Sequence, residues 1–293
     1  RSGVVLVNLN TRLTAAELDV ALNDSGARVL LYDESYTDTV AHLEAPTVER
    51  RVVLQGSPSA QSSDGECKTL DGVMARTSDC PPPRHRPQPQ DTCALIYTSG
   101  TTGRPKGVML TQQMFGWNAY NTVIGWQLRD SDVTSIFTPL YHAAGFGVFL
   151  LPLFAVGGRV VLHRTFEAAE VLETLQDERV SVVLGVPTIF KLLSETPSFA
   201  DADMSALRWA ISGGAPLPRY LIDLYGERGV VLKQGFGMTE AGVNCFTMTV
   251  DEASEKAGSI GKPLPFTEAQ VVDGDNRPLA AGEVGRLRLR GPH

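Results

Sequence analysis

The segment from Tyr97 to Val108 reads YTSGTTGRPKGV. It brings three glycines (Gly100, Gly103, Gly107), the hydroxyls of Thr98, Ser99, Thr101 and Thr102, and the cations Arg104 and Lys106 into one short stretch. Glycines let a backbone curl around an anion, hydroxyls and main-chain amides donate hydrogen bonds to it, and a lysine ammonium neutralises phosphate charge. The chemistry that suits this composition is the binding of a polyphosphate. The pattern GxxxxGK[ST] is not completed, because Gly100 to Gly103 is followed by Arg-Pro-Lys-Gly.

Three further strings stand out: PLYHAAG from Pro139 to Gly145, SGGAP from Ser212 to Pro216, and QGFGMTE from Gln234 to Glu240. With these the chain resembles the adenylate-forming superfamily of acyl- and aryl-CoA synthetases, peptide-synthetase adenylation domains and luciferase-like enzymes. Tyr97–Val108 is similar to its phosphate loop, SGGAP to its adenine loop, and QGFGMTE to its adenine and metal segment. The opening NLNTRLTAAELDVALNDSGARVLL also looks like its N-terminal α/β region, with Thr11 where a proline is common.

The resemblance implies residue roles. Thr98, Ser99, Gly100, Thr101, Thr102, Gly103 and Lys106 would hold the β- and γ-phosphates of ATP, and Gly213, Gly214, Ala215, Phe236 and Gly237 would line the adenine. Phe236 keeps the stacking of the family's frequent tyrosine without its phenolic hydrogen bond. Thr239 would contact the α-phosphate and Glu240 would ligate Mg2+, a hard cation that suits a carboxylate. Attack of a carboxylate on the α-phosphorus brings two anions together, and Mg2+ with fixed donors offsets that charge where it develops. His142 would stand near the reacting carboxylate, with Tyr141, Gly145 and Phe146 toward an acyl pocket. CoA is the implied acceptor thiol, and a fatty or other hydrophobic acid the implied substrate. A peptide-synthetase adenylation domain is the alternative enzyme; it requires a carrier domain and an amino-acid-binding Asp that the sequence does not plainly show. A non-catalytic nucleotide-binding module is the alternative of another class. The family's later ribose-binding Asp, hinge and lid-domain lysine have no counterpart in this chain.

These motifs need elements to hold them. Val4–Leu9 reads as a strand, Thr14 and Glu17 as a capping box for a helix ending near Gly26, and Arg28–Tyr32 as a second strand. The βαβ texture recurs around Val180–Leu184, Leu207–Ile211 and Val230–Leu232, so the class is α/β. Cys93–Thr98, Val133–Phe137 and Arg159–His163 read as strands, with helices from Thr111 and over Phe166–Asp177. Gln55–Gln90, rich in Ser, Gly and Pro, is expected to be an extended surface connection. Glu268–Val272 and Glu283–Leu289 alternate with period two around a DGDN turn, as in an antiparallel hairpin. The expected organisation is therefore a partial first α/β subdomain over 1–90, a second over 91–240 carrying the motifs, and the start of a β-barrel-like subdomain over 241–293.

Length and composition agree with this reading. The 293 residues predict about two compact units, and 43% hydrophobic against 20% charged residues suffices for buried cores. A formal charge of −7 supplies no basic field for nucleic acid or anionic lipid, so small molecules are the expected partners. Cys67, Cys80, Cys93 and Cys245 show no CxxC or zinc spacing, which fits a reducing cytoplasm. The most apolar stretch, Phe146–Val156, is too short to span a bilayer. Both ends are expected to be internal to a longer protein, since there is no initiating Met and the last residues fall within an alternating strand. His42, His85, His163 and His293 are expected as surface or edge residues, Asp130 and Asp132 as turn formers, and Arg286, Arg288 and Arg290 as a solvated strand face.

Overall fold

The structure, a computed structural model, describes residues 3–54, 69–76, 86–98 and 105–293. Two compact units divide the chain, Arg1–Leu110 and Thr111–His293.

In the first unit the helix Ala15–Ser25 starts where the sequence places it. The Thr14 hydroxyl accepts from the Glu17 amide, the Glu17 carboxylate accepts from the Thr14 amide, and Gly26 closes the helix in the left-handed region at φ 64°. Leu18 and Leu22 then point into a small core with Leu30, Val40 and Leu43. Val29–Tyr32 pairs in parallel with Arg50–Val53, and Leu6–Asn8 pairs in parallel with Thr92–Thr98, which is followed in the same sheet by Lys106–Thr111. Residues 92–110 fall within the first unit. The expected connection 55–90 lies partly outside the described residues. Its described part includes a helix, Leu70–Arg76, rather than extended chain throughout. Thr69 starts that helix, its hydroxyl accepting from the Gly72 amide, and Leu70, Val73 and Met74 supply helical spacing inside a stretch whose average composition obscures it.

The second unit is built on a five-stranded sheet in the order Leu232–Gln234, Trp209–Ser212, Val182–Gly185, Val133–Ile136, Arg159–Leu162. Every pairing in it is parallel. The helices Ala168–Asp177, Pro187–Ser194 and Arg219–Glu227 bury Val171, Leu172, Phe190, Leu193, Leu221 and Tyr225 against Val183, Ala210 and Leu232 of the sheet. Alternate strand positions serve other neighbours, as the pleat requires: Trp209 meets Trp126 and Phe149 edge-on or tilted at 5.8 and 5.9 Å. Beyond the sheet, Phe236–Met238, Val243–Thr247 and Lys262–Pro263 form an antiparallel three-stranded sheet. Glu268–Val272 and Arg286–Arg290 form the expected hairpin, with Arg286, Arg288 and Arg290 exposed.

The amino ends of the parallel strands are tied by a buried polar cluster. Asp132, only 2% exposed, accepts from both the Arg208 guanidinium (2.6 and 2.7 Å) and the Ser181 hydroxyl (2.6 Å). Its second role is the anticipated turn, in which it accepts from the Arg129 amide. The turn was legible from the sequence; the cross-strand ion pair, which draws on residues far apart in the chain, was not.

Candidate active site

The phosphate-loop string begins on one strand of the first unit and ends on another. Thr98 ends the strand Thr92–Thr98 half-buried, and Lys106 opens the strand Lys106–Thr111 exposed. Ser99, Gly100, Thr101, Thr102 and Gly103 lie outside the described residues. Tyr97, whose part the sequence did not disclose, braces the base of this loop. Its hydroxyl donates to Asp24 at 2.8 Å, and its ring lies where a side chain at Gly107 would press, 3.1 Å from an added Cβ. Burial and then Asp24 push the Tyr97 phenol up to about 12.

The other motifs all hang from the carboxyl ends of the parallel strands in the second unit. Val133–Ile136 runs into the segment bearing Tyr141 and His142, Trp209–Ser212 into Gly213, Gly214 and Ala215, and Leu232–Gln234 into Phe236 and Gly237. The strand order places Val133–Ile136 between Arg159–Leu162 on one side and Val182–Gly185 on the other, so the winding reverses there. Ligand crevices in open parallel sheets form at the carboxyl ends beside such a reversal. A small cleft, with an internal volume of about 10 Å3, lies at this place, lined by Ile136, Thr138, Ala144, Gly145, Phe149 and Leu184 among others.

Each loop is set by specific contacts. In PLYHAAG the His142 amide donates to Pro139 O, and a Cβ at Gly145 would collide with the Pro139 and Thr138 carbonyls, so only glycine closes this turn. Tyr141 is half-buried against the exposed His142, with ring centroids 4.7 Å apart. Phe146 packs edge-on against Phe115 at 5.3 Å and opens a π-helical turn, Phe146–Leu150. In SGGAP, Gly214 takes φ 78°, a left-handed turn that glycine adopts without cost. Gln234 binds this loop to its neighbour: its Oε1 accepts from Leu217 N at 2.7 Å, while its Nε2 donates to the carbonyls of Gly235, Ser212 and Ala215.

In QGFGMTE the strand Phe236–Met238 folds back onto Val243–Thr247, and the Phe236 ring stands edge-on to Phe246 at 5.6 Å. A Cβ at Gly237 would overlap the Val243 carbonyl. Thr239 and Glu240 lie in a single 3-10 turn, Thr239 half-buried and Glu240 exposed. Among the described residues no three His, Cys, Asp or Glu side chains group as a metal cage. A lone exposed carboxylate fits Mg2+ held jointly with substrate phosphates, the usual manner for this ion, and does not fit an all-protein cage.

Several polar residues of the site escaped the sequence reading. Asn118, Asn121 and Thr122 are fully buried on the helix Gln112–Trp126, and Asn244 is 4% exposed on the adjoining strand. Their spacing of three and four in an otherwise apolar helix was the available signal. Lys233, 3% exposed, donates to Met248 O at 3.1 Å and sits 4.0 Å above the Trp209 ring. Burial, then Arg208, pushes its ammonium down to about 8. His163 follows Arg159–Leu162, the edge strand of the sheet, as expected of an edge residue, and its side chain turns inward: it is 3% exposed, with Nε2 2.8 Å from the Ser135 hydroxyl and Nδ1 3.6 Å from Glu170. His293 is half-buried against Thr267 Oγ1 at 3.1 Å, His42 is exposed as expected, and His85 lies outside the described residues.

Comparison with known proteins gives the family and agrees with the fold. The model of the AMP-binding enzyme family matches residues 1–293, and the chain belongs to that family. It is 38% identical over 293 residues to a feruloyl-CoA synthase of Amycolatopsis sp, covering 100% of this chain and 56% of the relative. It is 30% identical over 294 residues to an indoleacetate–CoA ligase of Aromatoleum aromaticum, again with 100% and 56% covered. Among solved structures, ATP-bound MatB from Rhodopseudomonas palustris superposes with a TM-score of 0.84 at 28% identity, over 98% of this chain and 55% of that one. The chain thus spans little more than half the length of the proteins it matches. No helix among the described residues is long and apolar enough to cross a membrane.

Proposed function

We propose that the protein containing this chain activates a hydrophobic carboxylic acid with ATP, forming an acyl-adenylate and pyrophosphate, and passes the acyl group to the thiol of CoA with release of AMP. The observation that carries this reading is the convergence of three motif loops, those of His142, Gly213–Ala215 and Phe236–Glu240, at the carboxyl ends of one parallel sheet. In this reading the acid lies toward the cleft beside Gly145, with Tyr141 and His142 near its carboxylate. The adenine lies between the SGGAP loop and Phe236. Thr239 donates to the α-phosphate, and Lys106 with Thr98, Ser99, Thr101 and Thr102 draws the pyrophosphate away. Mg2+ on Glu240 would neutralise charge building on the α-phosphate during attack. The names of the two relatives favour an acid bearing an aromatic ring over a plain fatty acid. A cytoplasmic setting accords with CoA as acceptor and with the free thiols of Cys93 and Cys245.

Acid-dependent exchange of labelled pyrophosphate into ATP, run on the full-length gene product with ferulate, indoleacetate and decanoate, tests the first half reaction. Thioester formation on adding CoA tests the second. Lys106→Ala and Glu240→Ala should each lower exchange by about a hundredfold, the scale of a lost transition-state donor. Unchanged exchange in either variant removes that residue's role, and ATP binding without exchange for any acid favours a non-catalytic nucleotide-binding module.

A further inference from the structure

The segment carrying His142 and the hairpin carrying Glu240 are far apart in sequence, and a buried polar lattice joins them. Asn118, fully buried, donates from Nδ2 to Gly147 O at 2.8 Å and accepts at Oδ1 from the Asn244 amide at 2.9 Å. Asn244 donates from its own Nδ2 to Thr122 Oγ1 at 2.8 Å and to Val148 O at 3.4 Å. Thr122 completes the set by donating to Asn118 O at 2.7 Å. Gly147 and Val148 belong to the π-helical turn that follows His142. A π turn displaces main-chain carbonyls from their α-helical donors, and such turns recur at functional sites. Here the displaced carbonyls are met by side-chain amides from two other elements.

Val243 sits at the centre of this contact. It is β-branched, yet it takes φ 123°, a backbone conformation that such residues adopt only when their surroundings impose it. Its side chain occupies the space a Cβ would need at Gly147, and its carbonyl occupies the space a Cβ would need at Gly237. One strained residue is therefore pressed between the glycine of the His142 segment and the glycine of QGFGMTE. Apolar side chains of similar size would fill the same volume without fixing a register. A fully satisfied buried polar set selects one arrangement, because any slip leaves donors unpaired in a dry interior.

We infer that Asn118 and Asn244 are positioning residues that hold the His142 segment and the Glu240 hairpin as one body. Given the ligase reading proposed above, they set the carboxylate of the acid against the α-phosphate. Neither side chain touches the reacting groups in this assignment; both act through Gly147, Val148 and the main chain of Val243–Asn244.

Amide hydrogen exchange on the full-length gene product tests the mechanical claim without any substrate. In Asn118→Ala, exchange should rise roughly tenfold, the scale of one net buried hydrogen bond, in peptides covering both 143–150 and 236–247. Peptides of the helix 187–194, on the other face of the sheet, should keep their wild-type rates. Acceleration in one segment alone, or uniformly along the chain, overturns the inference. Should Asn118→Ala fail to fold, Asn244→Ala carries the same test, since it keeps the main-chain bond to Asn118 and loses only its two side-chain bonds. Kinetics supply the second readout: kcat for acid-dependent exchange should fall about tenfold, more than either the KM for the acid or the Kd of Mg-ATP changes, because the two segments lose their mutual register, whereas an unchanged kcat with both affinities weakened equally indicates a merely structural role and overturns the inference. Absence of acid-dependent exchange in the wild type would refute the ligase reading while leaving the hydrogen-exchange result to decide the coupling.

Discussion

Gln234 and Leu217 are joined by a 2.7 Å hydrogen bond from the Leu217 amide to the Gln234 side-chain carbonyl, and this bond binds the end of one strand to the loop following its neighbour. The same amide side chain donates to three main-chain carbonyls on its other side. Gln234→Leu keeps the volume and leaves the Leu217 amide unpaired. Unfolding in urea should show a loss of about 1–3 kcal/mol. Titration with Mg-ATP should show an affinity about tenfold weaker, the equivalent of 1.4 kcal/mol of that loss appearing as loop disorder.

The Asp132–Arg208 pair predicts a strong non-additivity. Arg208→Ala strands a carboxylate that is 2% exposed, and breaking such a pair costs about 3–5 kcal/mol. Asp132→Asn with Arg208→Ala together should cost less than the sum of the single changes. A double-mutant cycle by urea denaturation measures the coupling, and strict additivity would contradict the contact of Arg208 Nη1 with both Asp132 oxygens.

Lys233 gives stability a pH dependence of definite sign. Its folded value of about 8 lies below the ordinary 10.5, so the native state resists protonation relative to the unfolded chain. The stability associated with the neutral amine is fully present above 10.5 and is lost as pH falls to 8, with no further change below. Each pH step of one between these two values is worth about 1.4 kcal/mol, so the whole window carries roughly 3 kcal/mol. Measured against Lys233→Met at each pH, the wild type should gain relative stability between pH 8 and 10.5. A flat difference would mean that Met248 O and the Trp209 face compensate the burial fully.

Gly237 and Gly274 form a matched pair for substitution. An alanine at 237 meets the Val243 carbonyl, main chain that cannot yield, whereas nothing lies within 4 Å of a Cβ at 274. Gly237→Ala should reduce adenylate formation by more than about tenfold while the five-stranded core still unfolds cooperatively; Gly274→Ala should leave the rate unchanged and the free energy of unfolding within about 0.5 kcal/mol of the wild type.

The parts of the structure legible beforehand were those whose information is local. The Thr14–Glu17 box, the Gly26 stop, the parallel strands and the final hairpin each depend on residues a few positions apart, and their patterns survive in the linear chain. The motif strings likewise stated what each loop would suit. What stayed hidden depends on partners distant in sequence. Asn118 reads as an indifferent helix residue until Asn244 and Gly147 arrive beside it. The inward turn of His163 onto Ser135, 28 residues earlier, has no local sign. Nothing local to Lys233 announces that its ammonium lies buried against Trp209 and Trp126. The helix Leu70–Arg76 was missed for a different reason: seven residues of helical spacing were averaged with the Pro and Ser around them.

The five-stranded sheet has two unlike ends. Asp132, Ser181 and Arg208 pin the amino ends of its strands, and the loops of His142, Gly213 and Phe236 leave from the carboxyl ends. Inherited variation at the two ends should therefore register in different quantities. Changes at the pinned end alter how much folded protein a cell retains and leave each surviving molecule equally competent. Changes in the loop side chains that face away from the sheet alter what each molecule does with less effect on its abundance, Gln234 being the loop-end residue that bears on both. A lineage can thus vary the loops while the pinned end keeps the scaffold intact, and robustness and novelty draw on largely separate residues of one sheet.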